Sequence, residues 1–583
     1  MKTLYDKIVE AVKNKDKGYI YKVSGMKVAE ANLPVNENGD NLLLWAVKNE
    51  EWEIFDRVLQ NTELDINIKD KQGSTVLNEL VKKLSLSDNT YDKQRCLSYV
   101  KNLLNRSDID INTQDEQGNT PWANILVYNN YENLSAEAFE YLDKLEDVFY
   151  AREDLNVNLQ NNRGETALLL AAKANRVVTV EKLIAKFADV NIQDNHGYTA
   201  LIEAVKRQYS TLLSVLLEHE KIDVNIKNEN GDTAFSISMN FLLDRDARAK
   251  GIANKLLDRD DVDVNVRNDL GAAPLITAYV NKYNDILTKI LKKENVDVNI
   301  RGTLEETLLM EAGYEGNYKL AQYLLGRGDI DINAFDKDGN TALITTIRRL
   351  DENGENGYAV MKAILAHPDL DINASKEGKT TGNALTTAIR KKNDRVIDII
   401  LERDDVDIDK PNNYIAFDSA IYTQDLSLLR RLTVNKNFDV EDEDYNGANA
   451  IGHTFDCALN SMDKENFDVL ISFILDVCKQ ENISQVINHK DKSGNTAIMT
   501  AIKRGAKWSD IELFLSDVIT HFGFVDIDFK ACNNAGQSLE SMLKAQSDAQ
   551  KETDITRVIK RYNDKCEANG LQPLNNGQES EIE

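Results

Sequence analysis

The chain has 583 residues, 42% of them hydrophobic and 29% charged, so it is too long for one hydrophobic core and too apolar for a disordered chain. Its 97 acidic residues outweigh 70 basic ones to give a formal charge of −27. That balance argues against direct nucleic-acid binding, which needs clustered lysine and arginine, and makes a basic partner electrostatically easier.

The first 34 residues read as two helices, Leu4 to Lys13 and Gly18 to Ala31, with Ile8, Val12, Ile20, Val23 and Met26 on one side. Acidic groups stand there where a secretion signal needs an apolar stretch, and no run approaches membrane-spanning length. Five scattered cysteines (Cys96, Cys457, Cys478, Cys532, Cys566) form no Cys-x-x-Cys pair and read as reduced thiols. A cytoplasmic chain is therefore expected, or one delivered into a host cell by a route with no ordinary signal.

From residue 35 a loop signature returns in register. Its glycine is Gly39, Gly73, Gly118, Gly164, Gly197, Gly231 and Gly271, then Gly339, Gly447, Gly494 and Gly536. Degenerate copies lie at Arg301 to Leu309, Asn373 to Leu385 and Asp409 to Phe417, which makes fourteen loops. Several spacings are 33 or 34 residues and others stretch to 40 to 47. Each copy reads as an extended arm such as Val190 and Ile192, an Asp-x-x-Gly turn with glycine at positive φ, and two antiparallel helices. Thr199, Thr341 and Thr496 are placed to cap the first helix. Leu201, Ile202 and Ala204 face inward from it, and Val177, Val180, Leu183, Ile184 and Phe187 form an apolar stripe on the second.

A period of this length with Gly-x-Thr-Ala-Leu opening a helix pair resembles the ankyrin repeat, whose pattern has Thr-Pro-Leu-His at that point. The likeness covers residues 35 to about 540. It implies an all-α, ankyrin-like solenoid of antiparallel helix pairs with short β-hairpin-like loops, wound into a curved superhelical rod. Residues 1–34 and 541–568 would be capping helices, and 569–583 a flexible acidic tail. The family's histidine is replaced by Leu169, Ile202, Ser236 or Ile344, so packing is expected to replace the hydrogen bonds that histidine makes between units. The longer repeats carry extra residues at Ser85 to Arg95, Asn129 to Glu153, Asp351 to Tyr358 and Ser461 to Gln485, with Glu137 to Tyr150 itself helix-like. Residue usage and loop fingers look bacterial or viral.

Motifs for chemistry are sparse. The six histidines include no His-Glu-x-x-His, and no Cys/His cluster has zinc spacing, so no metal, cofactor or catalytic residue is assigned. Gly378-Lys379-Thr380 lacks the earlier glycine of a phosphate loop, and His367-Pro368-Asp369 lacks the glycine-rich continuation of a Fic-type transferase motif. Asp65 to Gly73 and its siblings space carboxylates as if to chelate calcium, yet the glycine and the bidentate glutamate of an EF-hand are misplaced, so these side chains are assigned to turns.

What remains is surface. The ankyrin likeness implies a non-catalytic scaffold that binds another protein through finger tips and a concave face of first helices. The residues expected there are Lys71, Gln72, Asn162, Arg163, Asn195, His196, Glu229, Asn230, Lys337, Asp338, Lys492 and Ser493, with aromatics Trp122, Tyr198 and Tyr279 beside them. Alternatives are an acidic inhibitor occupying a nucleic-acid-binding site, an enzyme with a site in an insertion such as Asn129 to Glu153, and a structural spacer.

Overall fold

A computed structural model describes residues 4–14, 16, 32–60, 64–87, 89–128, 136–242, 247–268, 270–376, 382–408, 414–423, 425–436, 438–444, 446–457, 464–479, 482–506, 508–522, 525, 527–528, 531–539, 541–542, 560, 564 and 567. The expected helix Gly18 to Ala31 lies outside the described residues, as do nearly all of the C-terminal cap and the whole of the tail.

Most repeats start from a loop aspartate or asparagine; the one opening Leu308–Glu315 has Gly302 there. In the loop of residues 194–198, the Asp194 carboxylate accepts from the backbone N–H groups of His196 and Tyr198 at 3.0 and 2.9 Å, while Gly197 takes φ +76°. Asp70 does the same for Gln72 and Ser74 at 2.9 and 2.8 Å. These carboxylates are thus engaged by their own turns. The Thr199 hydroxyl then accepts from the Ile202 N–H, and Thr341 and Thr496 cap their helices in the same way, as the sequence expectation had it. Helix Ala200–Lys206 buries every residue from Ala200 to Val205. The chain reverses through Gln208 at φ +58°, and helix Ser210–Leu217 buries Leu212, Leu213 and Leu216.

The chain divides into two units, Met1–Asp297 and Val298–Glu583. In the first, helix Leu4–Lys13 is followed by the pairs Leu42–Lys48 with Trp52–Leu59, Val76–Leu86 with Thr90–Leu104, Pro121–Tyr128 with Ala136–Tyr150, Ala167–Lys173 with Val177–Ala185, Ala200–Lys206 with Ser210–Leu217, Ala234–Leu242 with Ala247–Leu257, and Pro274–Val280 with Asn284–Leu291. The second holds Leu308–Glu315 with Tyr318–Leu325, Ala342–Arg348 with Leu350–Leu365, Ala384–Arg390 with Asp394–Leu401, Tyr414–Thr423 with Leu426–Thr433, Ala450–Cys457 with Lys464–Val477, a short helix Ile483–Asn488, and Ala497–Lys503 with Trp508–Phe522. First helices pack on first helices and second on second, so Ala167–Lys173 touches Ala200–Lys206 while Val177–Ala185 touches Ser210–Leu217. This is an all-α repeat solenoid. The loops close by backbone pairs such as Asp194 N–H to the Tyr198 carbonyl at 3.0 Å, and Cys532 and Ser538 form an isolated bridge; no longer strand occurs among the described residues.

Three sequence expectations need adjustment. Ala136–Tyr150 is the lengthened second helix of its own pair, with Leu145 and Phe149 fully buried. Phe187 does not complete the apolar stripe, because the helix stops at Ala185 and Phe187, at φ +62°, is 89% exposed. Packing is also only half of what joins the units. An asparagine at the end of most extended arms binds the next loop with both halves of its amide. Asn67, Asn112, Asn191, Asn225 and Asn265 donate to the carbonyls of Asp108, Asp154, Lys221, Asp261 and Asn295 at 2.6–2.8 Å. They accept from the N–H groups of Asp110, Asn156, Asp223, Asp263 and Asp297 at 2.7–2.9 Å. In the second unit Asn299, Asn333 and Asn373 repeat the arrangement on the 329–331, 369–371 and 405–407 arms.

The close approach of neighbouring loops is why glycine sits at the tip. A Cβ on Gly118 would lie 2.6 Å from Asn162 Oδ1 and 2.7 Å from its backbone nitrogen, whereas one on Gly231 would meet nothing within 4 Å. Both have positive φ, +76° and +84°. Gly118→Ala is therefore expected to lower stability by roughly 1 kcal/mol for the backbone conformation plus a steric penalty, and Gly231→Ala by the conformational part alone. Chemical denaturation of the two variants compares them; equal losses would contradict the packing account.

Candidate functional site

The tips are arranged by hydrogen bonds that run from loop to loop. In the first unit the N–H groups of Lys71, Asn162, Asn195 and Glu229 donate to the carbonyls of Asn38, Gln117, Arg163 and His196, at 2.9 Å for the first three and 3.2 Å for the last. The side-chain amides of Asn162 and Asn195 go the same way, to the Glu116 and Asn162 carbonyls at 2.7 and 2.9 Å. Half of each tip pair is therefore structural. Its partner in each pair, Gln72, Arg163, His196 or Asn230, is exposed with its side chain outside this backbone ladder. Three of these belong to adjoining loops and form a row of Arg163, His196 and Asn230, with successive repeats on the order of 10 Å apart.

Within that row His196 Nδ1 stands 3.2 Å from Glu229 Oε2 across the repeat boundary, and Arg163 Nε donates to Glu165 Oε2 at 2.9 Å. Lys206 Nζ covers the half-buried Tyr198 ring at 4.1 Å from its centroid. In the second unit, Lys337 and Asp338 are exposed at the loop opening Ala342–Arg348, and Lys492 and Ser493 at the loop opening Ala497–Lys503; other helix pairs separate the two sites. The Lys337 and Lys492 N–H groups are tied to the Leu304 and Asn446 carbonyls, each at 2.9 Å.

Two aromatics expected at the surface are core residues. Trp122 is 1% exposed and packs on Tyr150, with ring centroids 5.7 Å apart; Tyr279 is 3% exposed inside helix Pro274–Val280. Both occupy first helices, where Ala167 to Ala172, Ala200 to Val205 and Ala497 to Ile502 are likewise all buried. The first helices consequently offer little beyond their C-terminal residues, such as Lys206 and Arg207, and the tips carry most of what the repeats display.

Beneath the tips, charge is neutralised in a repeated pattern that sequence reading missed. Lys48 Nζ reaches Asp40 in its own loop and Asp70 in the next, both at 2.6 Å; Lys173 reaches Glu165 and Asp194 at 2.8 and 3.1 Å. Burial alone would raise the Glu165 carboxyl, but hydrogen bonds from Asn161 and Lys173 hold it below its usual range. Burial alone would lower Lys173, and Glu165 and Asp194 together hold it above. A lysine eight residues after the loop's acidic group was the available signal.

The signs set a pH window. Glu165, depressed on folding, contributes stability above its unfolded value of about 4.3, lost as pH falls through the folded one; Lys173, raised, contributes below about 10.4, lost as pH climbs through its folded value. Lys173→Met should thus reduce stability by about 1–3 kcal/mol, most between roughly pH 5 and 10, because the buried carboxylates Glu165 and Asp194 lose the cation they share. Denaturation midpoints across pH check this, and a loss that does not shrink at low pH would refute it.

A family model described as ankyrin repeats (3 copies) matches residues 132–228 and again 245–336. No curated protein matches the chain. Among solved structures it is similar to the ankyrin repeat protein EF0377, at 21% identity over 37% of this chain and 97% of that one, with a TM-score of 0.29. It is also similar to the ankyrin repeat domain of Bcl-3, a member of the IkappaB protein family, at 22% identity over 43% of this chain and all of that domain, TM-score 0.31. Ankyrin repeats serve in general as non-catalytic protein-binding scaffolds, and no helix among the described residues is long and apolar enough to cross a membrane. With the family match set inside loops and helix pairs of the same pattern, residues 132–228 and 245–336 are ankyrin repeats.

Proposed function

We propose that the chain is a non-catalytic scaffold that binds a partner protein through its loop tips. The observation that carries this reading is the division of labour at each tip: one residue is held by the preceding loop, and the next, Arg163, His196 or Asn230, is exposed with its side chain left to vary. A row of side chains on a hydrogen-bonded frame is ordered before binding, which reduces the entropy lost on association. Trp122 and Tyr279 are not part of this surface.

The formal charge of −27 favours a partner with a basic face, since complementary charge speeds encounter and repels acidic competitors. An inhibitor that covers a basic, nucleic-acid-binding site is the sharper form of the same reading.

Both are tested with a photo-crosslinking residue at position 196. The expected result is one protein captured from a native lysate, capture reduced about tenfold or more by the combined Arg163→Lys and Asn230→Ala changes with the fold retained, and no capture from a probe at the exposed Glu181 on a second helix. Capture that survives the double change, or that occurs equally from position 181, would contradict the tip reading. A basic partner further predicts weakening between low and physiological salt.

A further inference from the structure

One loop carboxylate meets neither lysine nor amide but histidine. Asp444 accepts from the Asn446 and Ala448 N–H groups at 2.7 and 2.9 Å through Oδ1, as its siblings do in their loops. Its other oxygen lies 2.7 Å from Nδ1 of His453, a ring 7% exposed on helix Ala450–Cys457. Nine residues after its own loop aspartate, Asn124 fills the same place and donates to Asp115 at 2.9 Å. Histidine there turns a second nitrogen, Nε2, toward the preceding helix, where Asp418 Oδ1 is 2.5 Å away. Cys457, one helical turn beyond His453, brings its sulfur to 3.6 Å from the same Nε2.

From this geometry we propose that Asp418, His453 and Cys457 form a site for a divalent transition metal of the zinc class, which clasps helix Tyr414–Thr423 to helix Ala450–Cys457. The three ligand atoms lie within 4.8 Å of one another, and no other group of three His, Cys, Asp or Glu residues does so among the described residues. Nitrogen, sulfur and oxygen donors together suit zinc or cobalt and not calcium or magnesium. A tetrahedral zinc ion separates its nitrogen and sulfur ligands by roughly 3.6 Å, given bonds of about 2.05 and 2.3 Å, which is the spacing found. Nitrogen and carboxylate ligands need about 3.4 Å, so Asp418 must withdraw by about 0.9 Å. Its side chain is 41% exposed and has room to do so. Asp444 supplies what such a site requires behind the ligands: a carboxylate fixed by its own loop that holds Nδ1 and directs Nε2 to the metal. On binding, the Cys457 thiol gives up its proton and any proton on Nε2 leaves with it, so metal replaces hydrogen as the bridge between His453 and Asp418. The sequence signal was His-x-x-x-Cys on one helix, a spacing outside the usual zinc patterns.

The experiment is cobalt(II) titration of the full chain carrying Cys532→Ser and Cys566→Ser, which removes the exposed Cys532 thiol and the one cysteine outside the described residues. The expected result is a thiolate-to-cobalt charge-transfer band with visible tetrahedral bands, saturating at one metal per chain and displaced by zinc. Adding Cys457→Ser should abolish the charge-transfer band and weaken binding by about 100-fold, with an unchanged far-ultraviolet spectrum; Asp418→Asn, at a more exposed position, should weaken binding by tenfold or more and keep the band. No band at equimolar cobalt, or a band that survives Cys457→Ser, would overturn the site and leave His453 as an ionic bridge between two aspartates.

Discussion

The structure depends on one side chain that donates and accepts across eight of the repeat boundaries, at Asn67, Asn112, Asn191, Asn225, Asn265, Asn299, Asn333 and Asn373. In the arm Asp189-Val190-Asn191 the Asp189 N–H donates to Asn158, and its carboxylate accepts from the Asn191 N–H. Asn191 in turn binds the Lys221 carbonyl and the Asp223 N–H. Only a short primary amide performs both tasks at that reach. Aspartate lacks the donor, and glutamine carries one more methylene. Each bond contributes only about 0.5–1.5 kcal/mol, but the same pair recurs in successive loops, and in a solenoid such nearest-neighbour contributions accumulate.

That relay governs what the rest of the repeat can be. Loops drawn this close leave no space for a side chain at Gly118, Gly164 or Gly197, and they oblige one tip residue to spend its backbone N–H on its neighbour. The first helix, pinned by its threonine cap and packed against first helices before and after it, is buried almost throughout. The surface left for recognition is narrow and periodic. It is also rigid, because its members rest on bonded loops instead of on free hairpins.

Much of this was legible in the residues. The glycine register, the threonine caps and the inward set Leu201, Ile202 and Ala204 each follow from a local rule, and the structure places them as expected. What the sequence concealed acts over distance. Asn191 looks like a turn residue until the loop 30 residues on is brought beside it. Trp122 and Tyr279 look like recognition residues because large aromatics serve both surfaces and cores, and only the neighbours decide. Arg152 is a further case: it grips Asp154 with two bonds at 2.8 and 2.7 Å and also donates to the Leu104 carbonyl, tying down the end of the preceding second helix. The pairing Arg-x-Asp recurs at Arg106, Arg259, Arg327 and Arg403, so the motif was visible although its target was not.

Asparagine amides, and not apolar contact alone, hold successive loops in register. Native-state hydrogen exchange at the Asp223 amide, compared between the parent chain and Asn191→Ala, tests this most directly. The account predicts faster exchange at Asp223 and a loss of about 1–2 kcal/mol in stability, with the helix amides of Ala200–Lys206 affected far less. Unchanged exchange at Asp223 together with unchanged stability would contradict it.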